Sequence, residues 1–91
     1  MKVKYNKVLR NLLIKHNKPK FNHTKAAEEL SECTTVLLQR VNKGAGVHNA
    51  KIYEEIAHAL MRLNVLVKVY GKKNIQKEVD KKEEQLINKY K

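Results

Sequence analysis

Residues 21–44, FNHTKAAEELSECTTVLLQRVNKG, decide how this chain is read. Ala27 and Leu30 recur at helical spacing, Ser31 and Glu32 break the pattern, and Cys33, Leu38 and Val41 resume it. Thr34 is a residue type that caps a helix start by accepting a backbone N–H, and Gly44 is the type that closes a helix in a left-handed conformation. The stretch therefore predicts a helix over 24–31, a tight turn at Ser31–Glu32 and a second helix over 34–43.

Working outward, Tyr5, Val8, Leu9, Leu12, Leu13 and His16 predict an amphipathic helix over 4–16, and the segment Asn17–Asn22, with the only proline, breaks it. After the loop AGVH, Asn49 is placed to cap a helix over 50–62 with Ile52, Ile56, Ala59, Leu60 and Leu63 on its apolar side. Two readings stay open for 65–70. Val65, Val67 and Val69 alternate as in a strand, yet the same residues can extend the preceding helix into the core. Residues 74–90 form a charged helix with Ile75, Val79, Leu86 and Tyr90 on one stripe, which Lys82 interrupts. The expected fold is mainly α: a small helix-turn-helix domain of four to five helices over 1–64, then an extension over 65–91, with a short strand allowed at 65–70.

Charge narrows the function. The chain is 91 residues long with a formal charge of +11. Residues 1–27 carry eight Lys or Arg and no acid, residues 62–77 add five more, and residues 78–91 are neutral. A basic chain this small is expected to bind a polyanion, with affinity that falls steeply with salt as counterions are released. A helix-turn-helix lays its second helix in the major groove, which makes double-stranded DNA the expected partner.

Other classes are disfavoured. No run approaches the roughly 18 consecutive apolar residues of a membrane span, so no membrane partner is expected. The N-terminus lacks an apolar run with a small-residue cleavage site, and a single cysteine permits no internal disulfide; both suit the cytoplasm. His16, His23, His48, His58 and Cys33 have no zinc-type spacing, so no metal site is expected. The acid pairs Glu28–Glu29, Glu54–Glu55 and Glu83–Glu84 are adjacent on helices, so each pair diverges. There is no phosphate-binding glycine loop and no distinctive nucleophile. Neither an enzyme, a cofactor nor a small-molecule substrate is expected.

Residues 21–44 resemble the helix-turn-helix of the Cro/CI repressor superfamily, the lambda repressor-like DNA-binding domain. Phe21, Thr24, Lys25, Ala27, Leu30 and Gly44 fit the pattern. Ser31 stands where the turn usually has Gly, and Glu32 where an aliphatic residue is usual. One extra residue in the turn buries Cys33 rather than a carboxylate, whose unpartnered burial is costly. NAKIYEEIAHAL, 49–60, is similar to the next helix of CI-type repressors.

The resemblance implies base contacts from Thr34, Thr35, Val36, Gln39 and Arg40, and phosphate contacts from His23, Thr24, Lys25 and Lys43. Gln39 suits adenine and Arg40 guanine. On this reading the chain is a sequence-specific transcriptional regulator of phage or plasmid type, in a bacterial cell or phage-infected host. It would act as a homodimer joined through 65–91. The alternatives are an architectural or excisionase-like DNA-binding accessory factor, and a helix-turn-helix scaffold used as a protein-interaction module.

Overall fold

Asn6 begins α1 (Lys7–His16) as a true helix cap: its Oδ1 accepts the Leu9 N–H at 2.9 Å. The computed structural model describes residues 6–91, so Tyr5 lies outside them. Three further α-helices follow: α2 (Pro19–Lys43), α3 (Asn49–Tyr70) and α4 (Lys72–Tyr90). A single 3₁₀ turn at Gly44–Gly46 links α2 to α3, and no strand occurs among the described residues.

The turn expected at Ser31–Glu32 is not there; α2 runs unbroken for 25 residues. The proline that ends α1 also starts α2, because at the first helical position its fixed φ is favourable and its missing N–H is not needed. From Lys20 to Lys43 the chain then has no glycine or proline to interrupt the hydrogen-bond ladder. Ser31, standing where a helix-turn-helix usually has glycine, leaves the chain free to stay helical. Glu32 remains in solvent, so continuity buries no carboxylate there. Thr34 and Thr35 cap nothing: their hydroxyls donate back to the carbonyls of Leu30 at 2.8 Å and Ser31 at 3.0 Å. Gly44 does close α2 with positive φ (+60°), although its ψ of −124° lies outside the left-handed helical well.

The second correction concerns residues 65–70. They are helical, completing α3 rather than forming a strand. A lone β-strand here has no partner for its backbone groups, and packing overrides the β-preference of three valines. Val65, 1% exposed, is the most enclosed large side chain, and α3 runs straight through the expected domain boundary at 64/65. Gly71 alone then turns the chain into α4, with φ +98°.

The α2 and α3 helices form an antiparallel hairpin, and α1 packs chiefly on α3. At one end Arg40 Nη1 donates to Asn49 Oδ1 at 2.6 Å and to the Val47 carbonyl at 3.3 Å. At the other, His23 of α2 meets the Tyr70 hydroxyl of α3. The buried apolar core is small: Ala26 and Val36 from α2, Ala59 and Val65 from α3. Small side chains let the two helices approach closely. Ala27 and Leu30, expected inside, are exposed, because a continuous helix turns Ala26 inward instead. For the same reason Leu38 and Val41, 57% and 79% exposed, face solvent, while Cys33 is half-buried. All of α4 is exposed. Its projection from the bundle gives a radius of gyration of 15.4 Å, against about 12 Å for a compact chain of this length.

Candidate nucleic-acid interface

The hairpin separates charge along its length. The α1–α2 loop, the start of α2, the end of α3 and the start of α4 all meet at one end. Between Lys7 and Ala27 there are six Lys or Arg, between Ile56 and Lys77 five, and neither segment holds an acid. Folding brings these two acid-free segments together. Lys15 and Lys68 line one shallow cleft between α1 and α3. His16, Lys18, Lys20, Phe21 and Thr24 line a wider groove of about 440 Å³, and Lys72 and Lys73 open α4 just beyond Tyr70. Phe21 is 45% exposed among these lysines.

The opposite part of the hairpin, residues 28–55, carries five glutamates against Arg40, Lys43 and Lys51. The residues implied as base readers sit there. Thr35 and Gln39 are exposed, yet they line a groove shared with Glu32 and Glu55. Lys51 lines it too and pairs with Glu55, which leaves Glu32 as the lining carboxylate that repels a phosphate backbone. Thr34 is exposed with its hydroxyl turned to its own helix. Val36 is 7% exposed and belongs to the core, so little of it is presented at the floor of that groove. Arg40 is bound to Asn49 and Val47, where it fastens the α2–α3 connection.

The implied phosphate contacts divide as well. Because α2 begins at Pro19, residues 23–25 lie in its second turn, past the free N–H groups of its first. His23 is engaged by the Pro19 carbonyl at 2.6 Å and by Tyr70, and the Thr24 hydroxyl donates to the Lys20 carbonyl at 2.8 Å. Lys25 pairs with Glu28 at 3.1 Å. Lys43 is exposed at the end of α2, far along the hairpin from the lysine cluster. Sequence reading missed Lys18, Lys20, Lys68, Lys72 and Lys73 as one group. The acid-free blocks were visible, but their meeting depends on a continuous α2 and α3.

A second cluster was also missed. Glu29 of α2 meets Glu55 and His58 of α3, each offering one ligand atom within 4.8 Å of the others. Adjacent acids do diverge along one helix, but Glu29 and Glu55 converge across two. The i, i+3 spacing of Glu55 and His58 was the available signal. Lys51 bridges Glu55 Oε1 at 2.9 Å and Glu54 at 3.6 Å. Its ammonium is held above its ordinary pKa by the hydrogen bond to Glu55, then by the charges of Glu54 and Glu55.

By its fold the chain is a small, mainly α-helical protein. No protein-family model matches it, and neither a curated protein nor a solved structure matches it significantly. Among the described residues no helix is long and apolar enough to cross a membrane.

Proposed function

We propose that this chain is a DNA-binding protein that grips the duplex phosphate backbone with its lysine-rich end, in the manner of an architectural or accessory factor. The observation that carries the reading is the convergence of two acid-free, basic segments at one end of an antiparallel helix pair. Opposed to it, the net-acidic half of the hairpin orients the molecule on a polyanion. The helix over 34–43 is the second half of α2, with Val36 in the core and Arg40 tied down. A sequence-specific regulator of the Cro/CI type thus loses the separate recognition helix on which that reading depended. The exposed side chains Val79, Leu86 and Ile87 of α4, on the charge-neutral stretch 78–91, support a homodimer through that helix.

The test is a titration of labelled duplexes of several unrelated sequences at increasing salt. Backbone binding gives similar affinities for all of them and a steep fall in affinity with salt. Selection of a palindromic motif from a random duplex pool would restore the sequence-specific regulator. Absence of duplex binding at low salt would turn the reading toward a protein partner.

A further inference from the structure

At mid-length of the hairpin, away from the lysine end, the helix pair encloses polar atoms that the protein leaves without partners. Glu55 is 4% exposed and its Oε2 has no hydrogen-bond partner; only Oε1 is met, by Lys51. Glu29 Oε2 is likewise buried without a hydrogen bond, 3.5 Å from His58 Nδ1. Arg62 lines the same cavity of about 220 Å³ with Glu29 and His58, and its buried Nη1 also lacks a partner. Its guanidinium forms no ion pair with either carboxylate among the described residues. Lys51 offsets the charge of Glu55, but Glu55 Oε2 and Glu29 Oε2 remain enclosed without a donor beside one imidazole, which is costly unless a cation joins them.

We propose that Glu29, Glu55 and His58 bind one divalent transition-metal ion, Zn²⁺ foremost, between α2 and α3. The donor set is two carboxylate oxygens and an imidazole nitrogen, which suits Zn²⁺, Mn²⁺ or Fe²⁺ rather than the all-oxygen shells of Ca²⁺. Glu55 and His58 stand one turn apart on the same face of α3, and Glu29 approaches from the facing helix. Ligands on one tetrahedral zinc lie about 3.4 Å apart, given bonds of roughly 2.0–2.2 Å. His58 Nδ1 and Glu29 Oε2 already have that separation, 3.5 Å. The three donor atoms span no more than 4.8 Å, so side-chain rotation alone can close the set. The fourth position opens into the cavity, where solvent held on the ion supplies the acceptor that Arg62 Nη1 lacks.

The test is calorimetric titration of Zn²⁺ into the full chain, with circular dichroism to confirm helicity of each variant. One saturable ion per chain is expected, with affinity at least about tenfold weaker in both Glu29→Gln and His58→Ala. Co²⁺ added to the unmutated protein should give the intense visible absorption of a low-coordinate N/O site. Three results overturn the proposal: no saturable binding, unchanged binding in the Glu29→Gln/His58→Ala double variant, or the weak spectrum of hydrated Co²⁺. If either variant fails to fold, the cobalt spectrum of the unmutated chain decides. The site does not depend on DNA binding, and duplex affinity serves as an independent readout.

Discussion

The imidazole of His23 lies edge-on to the ring of Tyr70, with centroids 5.5 Å apart and planes at 80°. This pair joins the first turns of α2 to the last residue of α3, at the end where the lysines gather. The Pro19 carbonyl can only accept, so His23 Nδ1 carries a proton toward it. In the neutral ring Nε2 is then an acceptor, and the Tyr70 hydroxyl donates to it. Tyr70→Phe should therefore cost about 0.5–1 kcal/mol in urea unfolding, the net worth of one hydrogen bond at a partly exposed position. Nitrogen NMR of His23 should show the Nδ1–H tautomer in the parent, with a weaker preference in the variant.

Glu32→Pro separates a continuous α2 from a helical pair with a turn. In an unbroken helix, proline removes the Glu32 N–H bond and clashes with the preceding turn, at a cost of about 3 kcal/mol or more. Glu32 is exposed, so no lost packing confuses the result. Unfolding of the variant at room temperature, or a large fall in its urea midpoint, is expected. A variant as stable as the parent would mean that the chain bends at this residue.

The same stretch shows how far the sequence could be read. The apolar periodicity placed helix within each of the four helices, but it split α2 in two and left the last turns of α3 open, while Asn6, Pro19, Gly44 and Gly71 mark helix ends by local chemistry that needs no partner. Ser31 and Glu32 read as a turn when Cys33, Leu38 and Val41 are placed inward and Thr34 caps a new helix. In a core made of two alanines and two valines, Leu38 and Val41 remain outside, and the register could not be deduced from hydrophobicity. The lysine blocks were legible as composition, whereas their juxtaposition, like that of Glu29 with Glu55 and His58, exists only after α2 and α3 pair.

Val65→Ala tests that core directly. Alanine is the better helix former, so a purely local account predicts a gain. Val65 is 1% exposed, and removing its two methyls should instead cost about 2 kcal/mol from lost burial plus the residual cavity. For a domain this small, thermal unfolding should drop by roughly 8–16 °C. Circular dichroism melts of the two proteins provide the measurement.

Lys51 gives the fold an alkaline dependence. Its pKa is raised in the folded state, first by the hydrogen bond to Glu55, next by the charge of Glu54 and then by that of Glu55. The folded chain thus holds this proton more tightly than the unfolded one. The stability it contributes is complete below its ordinary value of 10.5 and is lost as pH rises through the higher folded value. Lys51→Gln should be less stable than the parent at neutral pH, and the gap should narrow above that point. Urea midpoints of both proteins at about pH 8 and about pH 11.5 provide the comparison, with the difference cancelling ionisations common to the two.

The lysine end makes the strongest quantitative demand. Each phosphate contact adds about 0.9 to the slope of log affinity against log salt. Lys20→Gln with Lys72→Gln removes one charge from the start of α2 and one from the start of α4, which follows the end of α3 where His23 meets Tyr70. If both touch phosphates, the slope should fall by about 1.8 and low-salt affinity should weaken by the same proportion on every duplex sequence. Lys43→Gln with Lys51→Gln removes equal charge from the glutamate-bearing half and should leave the slope near its parent value. Equal losses from the two pairs would point to net charge alone, since a diffuse field does not distinguish one end of the hairpin from the other. The opposite ordering would place DNA along the second half of α2, beside Thr35 and Gln39, and would revive base reading by that helix.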